Sequence, residues 1–248
     1  IQNSPADEKF LVVAHDLSDM RKLETIRRDF VANVSHELRT PLASIRAMAE
    51  TLHDGAVNDP EVAPSFLNTI ITESDRLARI AQDLLVLSDA ESRQQDRDRV
   101  DLSSLADQVF KRFVSQAKKA GVSLSADIQS GLEVWATPDQ MDQVLVNLLD
   151  NAVKYTPAGG SVKVGARHMD DLIEITVSDT GIGMMQDDLP RIFERFYRVD
   201  KARSRASGGT GLGLSIVKNI VESHRGQVAV ESELNKGTMF RVILPSAK

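Results

Sequence analysis

Two long stretches of this chain carry apolar residues at the spacing of a single helix face, and a breaker-rich segment separates them. In the first, Phe30, Val34, Leu38, Leu42 and Ile45 recur at steps of four, four, four and three. In the second, Phe66, Ile70, Leu77, Ile80, Leu84 and Leu87 line up in the same way. Such spacing traces one face of an α-helix. The connecting DGAVNDPEVAP holds the Gly, Asn, Asp and Pro of a turn. The pattern predicts helices over about Met20–His53 and Pro60–Ser92, joined as an antiparallel hairpin. One hairpin buries its stripes poorly, whereas two close a four-helix bundle. A homodimer is therefore expected; the alternative is a hairpin that packs against the rest of its own chain.

The first helix contains FVANVSHELRTPL, in which His36 and Glu37 stand side by side off the apolar stripe. The imidazole should face solvent beside a carboxylate. Pro41 lies inside the helical pattern, removes a backbone donor and should kink the helix. Taken alone, the pair reads equally well as chemistry or as a solvated helix face.

The 248 residues allow one large domain or two modest ones. A net charge of -6 argues against general nucleic-acid affinity. Without cysteine there is neither a disulfide framework nor a thiolate metal site, and five scattered histidines lack zinc-ligand spacing. No apolar run approaches the roughly 20 residues that span a bilayer. The chain begins at Ile1 and reads as a piece of a longer protein, anchored in a membrane only through an upstream segment.

Residues 1–19 hold a short apolar strand, Phe10–Ala14, and read as the remnant of an upstream domain with its linker. Residues 20–93 form the helical unit. Ala90–Arg99 is polar and reads as a linker, and a mixed α/β domain occupies 94–248. Asp101 is placed to cap a helix ending near Ala120. Thr137, Pro138 and Gln140 form a capping-box start for a helix to Tyr155. Strands are expected at Leu124–Ile128, Leu132–Ala136, Ser161–His168, Leu172–Ser178, Gln227–Glu233 and Thr238–Leu244, with a helix near Leu212–His224. The fold class is thus a helical hairpin forming a dimeric bundle, followed by an α+β sandwich of helices on one sheet.

Four segments of the second domain carry unusual residues. Asn147 and Asn151 share one helix face, beside Lys154 and Tyr155; paired amide oxygens near a cation suit magnesium and phosphates, although a polar helix face explains them too. SDTGIGM puts Asp179 at the rim of a sheet, followed by Gly181 and Gly183, where a carboxylate can accept from adenine's amine; a tight turn is the plain reading. RIFERFYR holds three aromatics and reads by default as a short core helix. GGTGLGLS, containing Gly209, Thr210, Gly211, Leu212 and Gly213, leads straight into a helix whose N-terminus favours phosphate. It is neither a Walker loop nor a convincing dinucleotide fingerprint.

With SHELRTPL, NLLDNAVKYT, DTGIGM, RIFERFYRVD and GGTGLGLSIVK in this order, the chain from about Met20 to Leu244 strongly resembles the transmitter core of bacterial sensor histidine kinases, most closely the phosphate-sensing type. The resemblance implies a dimerisation and phosphotransfer bundle, then an ATP-binding domain of the fold shared with gyrase, Hsp90 and MutL. The N-terminal remnant is similar to the end of a PAS domain. By the same resemblance His36 accepts the phosphoryl group and Glu37 takes or orients its proton. Arg39 belongs to the same box, and Thr40 positions water for dephosphorylating a partner response regulator. Asn147 and Asn151 hold magnesium, Lys154 contacts phosphates, Tyr155 packs near the base and Asp179 binds the adenine amine. Arg198 reaches toward the γ-phosphate, and Gly209, Gly211 and Gly213 hinge a lid over ATP. Asp150, beside the Asn pair, is a permissible variation. The implied enzyme is a cytoplasmic protein-histidine kinase core using ATP and Mg2+, with a response regulator as partner. His15, His53, His168 and His224 lack the box and read as structural. On fold analogy alone, an ATPase clamp that closes a dimer is the rival, and the SHELRTPL box separates the two.

Overall fold

A computed structural model describes residues 18–92, 97–199 and 209–247. The strand expected at Phe10–Ala14 lies outside them. Helix α1 spans Ser18–His53 and α2 spans Ala63–Ser92, packed side by side. Between them the chain makes a short 3-10 turn at Ala56–Asn58, entered through Gly55 at φ 121°. The Asp59 carboxylate accepts the N–H groups of Glu61 and Val62 at 2.9 and 3.2 Å, which starts the second helix. α1 stays helical through Pro41, which is buried. The missing N–H of Pro41 deprives the Glu37 carbonyl of its helical donor.

The polar run Ala90–Arg99 is not all linker. α2 continues to Ser92, and β1 begins at Asp98 (Asp98–Asp101), pairing antiparallel with β3 (Glu133–Ala136). Only Val100 of β1 faces the core, so the strand is invisible as an apolar pattern. Asp101 then caps α3 (Leu102–Ala120), accepting from Ser104 N at 3.1 Å and Ser104 Oγ at 2.6 Å; these bonds hold its carboxyl below the ordinary range. Gly121 ends the helix in the left-handed conformation at φ 71°.

β2 (Ser123–Ile128), β4 (Ser161–Met169), β5 (Leu172–Asp179), β6 (Gln227–Glu233) and β7 (Gly237–Pro245) form a five-stranded sheet in the order β2-β4-β5-β7-β6. β2 runs parallel to β4 and the remaining pairs are antiparallel. One sheet face is covered by α3, α4 (Pro138–Tyr155) and α5 (Gly213–Ser223). Alternate strand residues, Val162, Val164, Ile173, Ile175, Val177 and Val242, are buried against Leu145, Leu148, Leu149, Ile216 and Ile220. Full burial of each such side chain stabilises the fold by about 1.5–3 kcal/mol. Thr137 takes the cap position of α4, but its side chain makes no capping bond, so the expected capping box is not formed. Its N–H instead donates to Nε2 of the buried His224 at 3.2 Å. That leaves Nδ1 to donate to the Ile220 carbonyl at 2.8 Å, and burial lowers the imidazole pKa. His224 is a neutral core residue.

The hairpin is packed differently from the sandwich. Among the described residues, Leu52, Ala63, Ile80 and Leu87 are its buried hydrophobics, while Val31, Leu42, Leu67, Ile71 and Leu85 are each at least half exposed. Part of the remaining stripe meets the same chain. Phe30 meets Phe196 at a tilt with ring centroids 5.9 Å apart, the Arg195 guanidinium lies 4.9 Å over Phe30, and Leu87 joins the sandwich core.

Candidate active site

α4 contributes the polar face that its sequence announces. Asn147 is half-buried, and its Nδ2 is buried without a hydrogen-bond partner. Its Oδ1 lies 2.9 Å from where a Cβ on Gly213 would be, so the amide stands directly against the N-terminus of α5. Leu212 precedes that helix without a side-chain cap, leaving its first N–H groups to other partners. An unmet buried donor, an amide oxygen and a bare helix N-terminus are the groups that could hold a phosphate and a hard cation. Asn151 is half-buried one turn further on. Lys154 places Nζ 5.3 Å over the Tyr155 ring. Asp150 accepts from Gln116 Nε2 at 3.2 Å, outside this face.

At the end of β5, Asp179 Oδ1 accepts the N–H of Gly181 at 2.8 Å and of Thr238 at 3.3 Å. Burial pushes its carboxyl above the ordinary value, and the two N–H bonds offset part of the rise. The glycines that follow have steric reasons of their own. A Cβ on Gly181 would lie 2.5 Å from the Tyr155 carbonyl, and Ile182 N donates to that same oxygen at 3.2 Å. Gly183, at φ 62°, would drive a Cβ into the Glu233 carbonyl. This turn therefore docks against both the end of α4 and the β6–β7 hairpin.

Arg191–Arg198 forms successive turns rather than the short core helix that its apolar content suggested. Ile192 is buried, Phe193 meets Phe240 edge-on at 6.4 Å, and the Tyr197 hydroxyl donates to Asp188 at 2.6 Å. Phe196 adopts φ 64° and donates its N–H to the Gly211 carbonyl at 2.8 Å. Gly211, itself at φ 75°, has Phe196 Cα 2.9 Å from the place of its missing Cβ. The third and fourth segments are thus locked together by backbone, with Gly209 and Thr210 on the approach and Leu212 fully buried. Thr210 Oγ1 donates to Asp83 of α2 at 2.8 Å and accepts from Leu212 N at 3.2 Å. Burial is also what raises the Asp83 carboxyl.

The two units meet at Glu37. Its Oε2 accepts Arg76 Nη2 at 2.7 Å and Arg198 Nη2 at 2.9 Å. Both guanidinium side chains are 5% exposed and the carboxylate is 20% exposed. His36, next in the chain, is exposed. Thr40 Oγ1 donates back to the His36 carbonyl at 3.3 Å. The structure brings Glu37 and Arg198 together across 161 positions of sequence. Sequence reasoning passed over Arg76 and Asp83. A signal for Arg76 existed: the stripe of α2 skips from Ile70 to Leu77, and Arg76 stands four residues before the fully buried Ile80.

Two family descriptions match consecutive parts of the chain: "His Kinase A (phospho-acceptor) domain" over residues 26–93, and "Histidine kinase-, DNA gyrase B-, and HSP90-like ATPase" over residues 136–248. The sensor-like histidine kinase SenX3 of Mycolicibacterium smegmatis is 40% identical over 242 residues, covering 96% of this chain and 63% of SenX3. The sensor histidine kinase WalK of Bacillus subtilis is 39% identical over 240 residues, covering 95% of this chain and 39% of WalK. The chain therefore spans less than two thirds of these relatives. Among solved structures, full-length ShkA in complex with AMPPNP superposes with a TM-score of 0.65 at 29% identity, over 89% of this chain and 46% of ShkA. Among the described residues, no helix is long and apolar enough to cross a membrane. The chain belongs to the sensor histidine kinases, a phospho-acceptor helical hairpin followed by the ATPase-type sandwich of that family.

Proposed function

We propose that the chain is an ATP-dependent protein-histidine kinase core that phosphorylates His36 and passes the phosphoryl group to an aspartate of a response regulator. The observation that carries this reading is the Arg198–Glu37 pair at 2.9 Å, because it joins the sandwich to the residue beside His36. Residues 20–93 act as the dimerisation and phosphotransfer unit and 94–248 as the nucleotide unit. The half-exposed Val31, Leu42, Leu67, Ile71 and Leu85 support a homodimer, since a second hairpin would cover them.

Asp179 offers its second oxygen to the exocyclic amine of adenine, and Tyr155 lies beside the base. Lys154 and the N-terminus of α5 meet the phosphates. Asn147 and Asn151 would hold a magnesium ion, which when bound offsets phosphate charge. That ShkA, a structural relative, forms a complex with AMPPNP supports nucleotide binding by this chain. In the reaction a ring nitrogen of His36 donates its lone pair to the γ-phosphorus as the bond to ADP breaks. The proton on the other ring nitrogen passes to Glu37, which keeps the phosphorylated ring neutral. Arg198 exchanges Glu37 for the γ-phosphate oxygens, where charge develops. Thr40 serves the reverse chemistry by orienting water toward the phosphorylated regulator. A membrane anchor would lie upstream, with this core on the cytoplasmic side.

Incubation with γ-labelled ATP and magnesium tests the reading. Acid-labile, base-stable label is expected on the protein and should vanish in His36→Gln. Nucleotide turnover with no labelled protein would sink it in favour of an ATPase clamp.

A further inference from the structure

We infer that Arg76 is the positioning residue for Glu37: from α2 it fixes the carboxylate that receives the His36 proton. The inference rests on the proposed role of Glu37 as the base.

Arg76 occupies a position where the helix pattern wants a hydrophobe. It lies four residues before Ile80, on the face of α2 that packs against α1, and its side chain is 5% exposed. Its Nη2 reaches Glu37 Oε2 at 2.7 Å, while Nη1 is 3.7 Å from Glu73 Oε2. Its Nε is buried and without a hydrogen-bond partner. A well-packed apolar residue at such a position is commonly as stabilising as a buried ion pair or more so. Packing alone therefore gives no reason for a guanidinium here. Its structural effect is to tie the carboxylate adjacent to His36 to the opposite helix.

Arg198 cannot do this throughout the reaction. It belongs to the nucleotide unit and must leave Glu37 to meet the γ-phosphate. Arg76 stays on the hairpin whatever the sandwich does. Both guanidinium bonds fall on Oε2, so Oε1 is the oxygen offered to the imidazole N–H. When Arg198 departs, Arg76 keeps the carboxylate in one rotamer, and the base remains placed during the one step that needs it. A side chain with several free torsions would otherwise sample positions out of reach, and misplacement of a reacting group by about 1 Å costs on the order of 10²-fold.

The test compares wild type, Arg76→Met, Arg76→Lys, Glu37→Gln and the double variant Arg76→Met/Glu37→Gln in single-turnover labelling, with melting curves and ATP titrations alongside. Arg76→Met should lower the maximal labelling rate by roughly 10- to 100-fold while half-saturation by ATP moves less than about 3-fold. Arg76→Lys, which keeps charge but not the planar fork, should recover part of the rate. In the Glu37→Gln background the Arg76 change should cost less than about 2-fold, because its effect runs through the missing carboxylate. Arg76→Met at wild-type rate overturns the inference, and so do losses that multiply in the double variant. If Arg76→Met gives no cooperative melt, Arg76→Lys carries the test, and a wild-type rate there overturns the inference too. Glu37→Gln at wild-type rate rejects the parent reading of Glu37 instead, so the two failures are distinguishable.

Discussion

Replacing Asp179 with Asn should separate nucleotide recognition from folding. The carboxylate Oδ1 accepts from Gly181 N at 2.8 Å and Thr238 N at 3.3 Å, and an Asn amide oxygen can keep both bonds. What changes is the charge and the second atom. Burial holds the Asp179 carboxyl above its ordinary value of 3.8. A folded-state pKa above the unfolded one means that the group's contribution to stability is complete below 3.8 and is lost as pH rises through the folded value. At neutral pH the charged side chain therefore weighs against folding. The variant should melt at the wild-type temperature or above it, with the difference opening as pH rises above the ordinary carboxylate range.

Binding should respond in the opposite sense. In the proposed pose the free oxygen accepts from the adenine amine, a bond to a charged acceptor worth about 1.5–3 kcal/mol. The variant puts an NH2 group there, donor against donor, and leaves both unsatisfied. A loss of about 3 kcal/mol corresponds to ATP binding weaker by on the order of 10²-fold. Inosine triphosphate presents a carbonyl where ATP presents the amine, so the variant should bind it better than wild type does. Titration calorimetry with the two nucleotides, beside melting curves across pH, reads all of this. If both proteins discriminate the nucleotides in the same ratio, Asp179 does not read the amine.

Thr210→Val removes the hydroxyl that meets Asp83 at 2.8 Å and leaves a half-buried carboxylate unsatisfied, at a cost of about 1–3 kcal/mol. Amide exchange at residues 209–212 should accelerate while the Asp179 turn keeps its protection, and unchanged exchange would show that the Thr210–Asp83 bond does not hold this segment. Gly183→Ala forces a side chain onto φ 62° and into the Glu233 carbonyl, so it should destabilise the sandwich by about 2–4 kcal/mol. Urea unfolding midpoints measure this; a midpoint equal to wild type would mean that the turn is free to move away from β6.

The elements legible in the sequence are those whose signals are local. The steps from Phe30 to Ile45 and from Ile70 to Leu87 gave both long helices, and Asp101 capped α3 as its position implied. Misreadings arose where a distant partner decided the outcome. Thr137 does take the cap position, but the expected box fails because His224, 87 positions later, takes its N–H. Asp98 and Arg99 looked like linker because β1 gains its strand geometry from β3, not from its own side chains. RIFERFYR looked helical because the Phe196–Gly211 backbone bond cannot be seen in either segment alone. At the site, sequence singled out Glu37 and Arg198 separately. Their contact depends on how the sandwich meets the hairpin, which no periodicity encodes.

Unfavourable local features lie at that meeting place and also within the sandwich. Among the described residues, the buried polar atoms without hydrogen-bond partners are Nε of Arg76, Nε of Arg198 and Oε2 of Glu73 at the junction, and Nδ2 of Asn147, Nδ1 of His168 and Nε of Arg241 in the sandwich. Phe196 holds a left-handed backbone that costs on the order of 1–3 kcal/mol in a residue with a side chain. Burial raises the pKa of Asp83 at the junction and of Asp179 at the end of β5. A fold selected for stability alone would fill these positions with hydrophobes and glycine. Such penalties concentrate where groups must change partners, because a fully satisfied group has no reason to move. Arg198 illustrates the point: one Nη bond to Glu37 holds it, and its Nε remains unpaired. A triphosphate supplies more acceptors than one carboxylate oxygen does, so the proposed exchange from Glu37 to nucleotide would run toward better satisfaction of the guanidinium. In the proposed mechanism the same exchange leaves Glu37 held by Arg76 alone, with Oε1 still turned to the proton of His36. On that proposal the nucleotide takes Arg198 while Arg76 keeps the base in place.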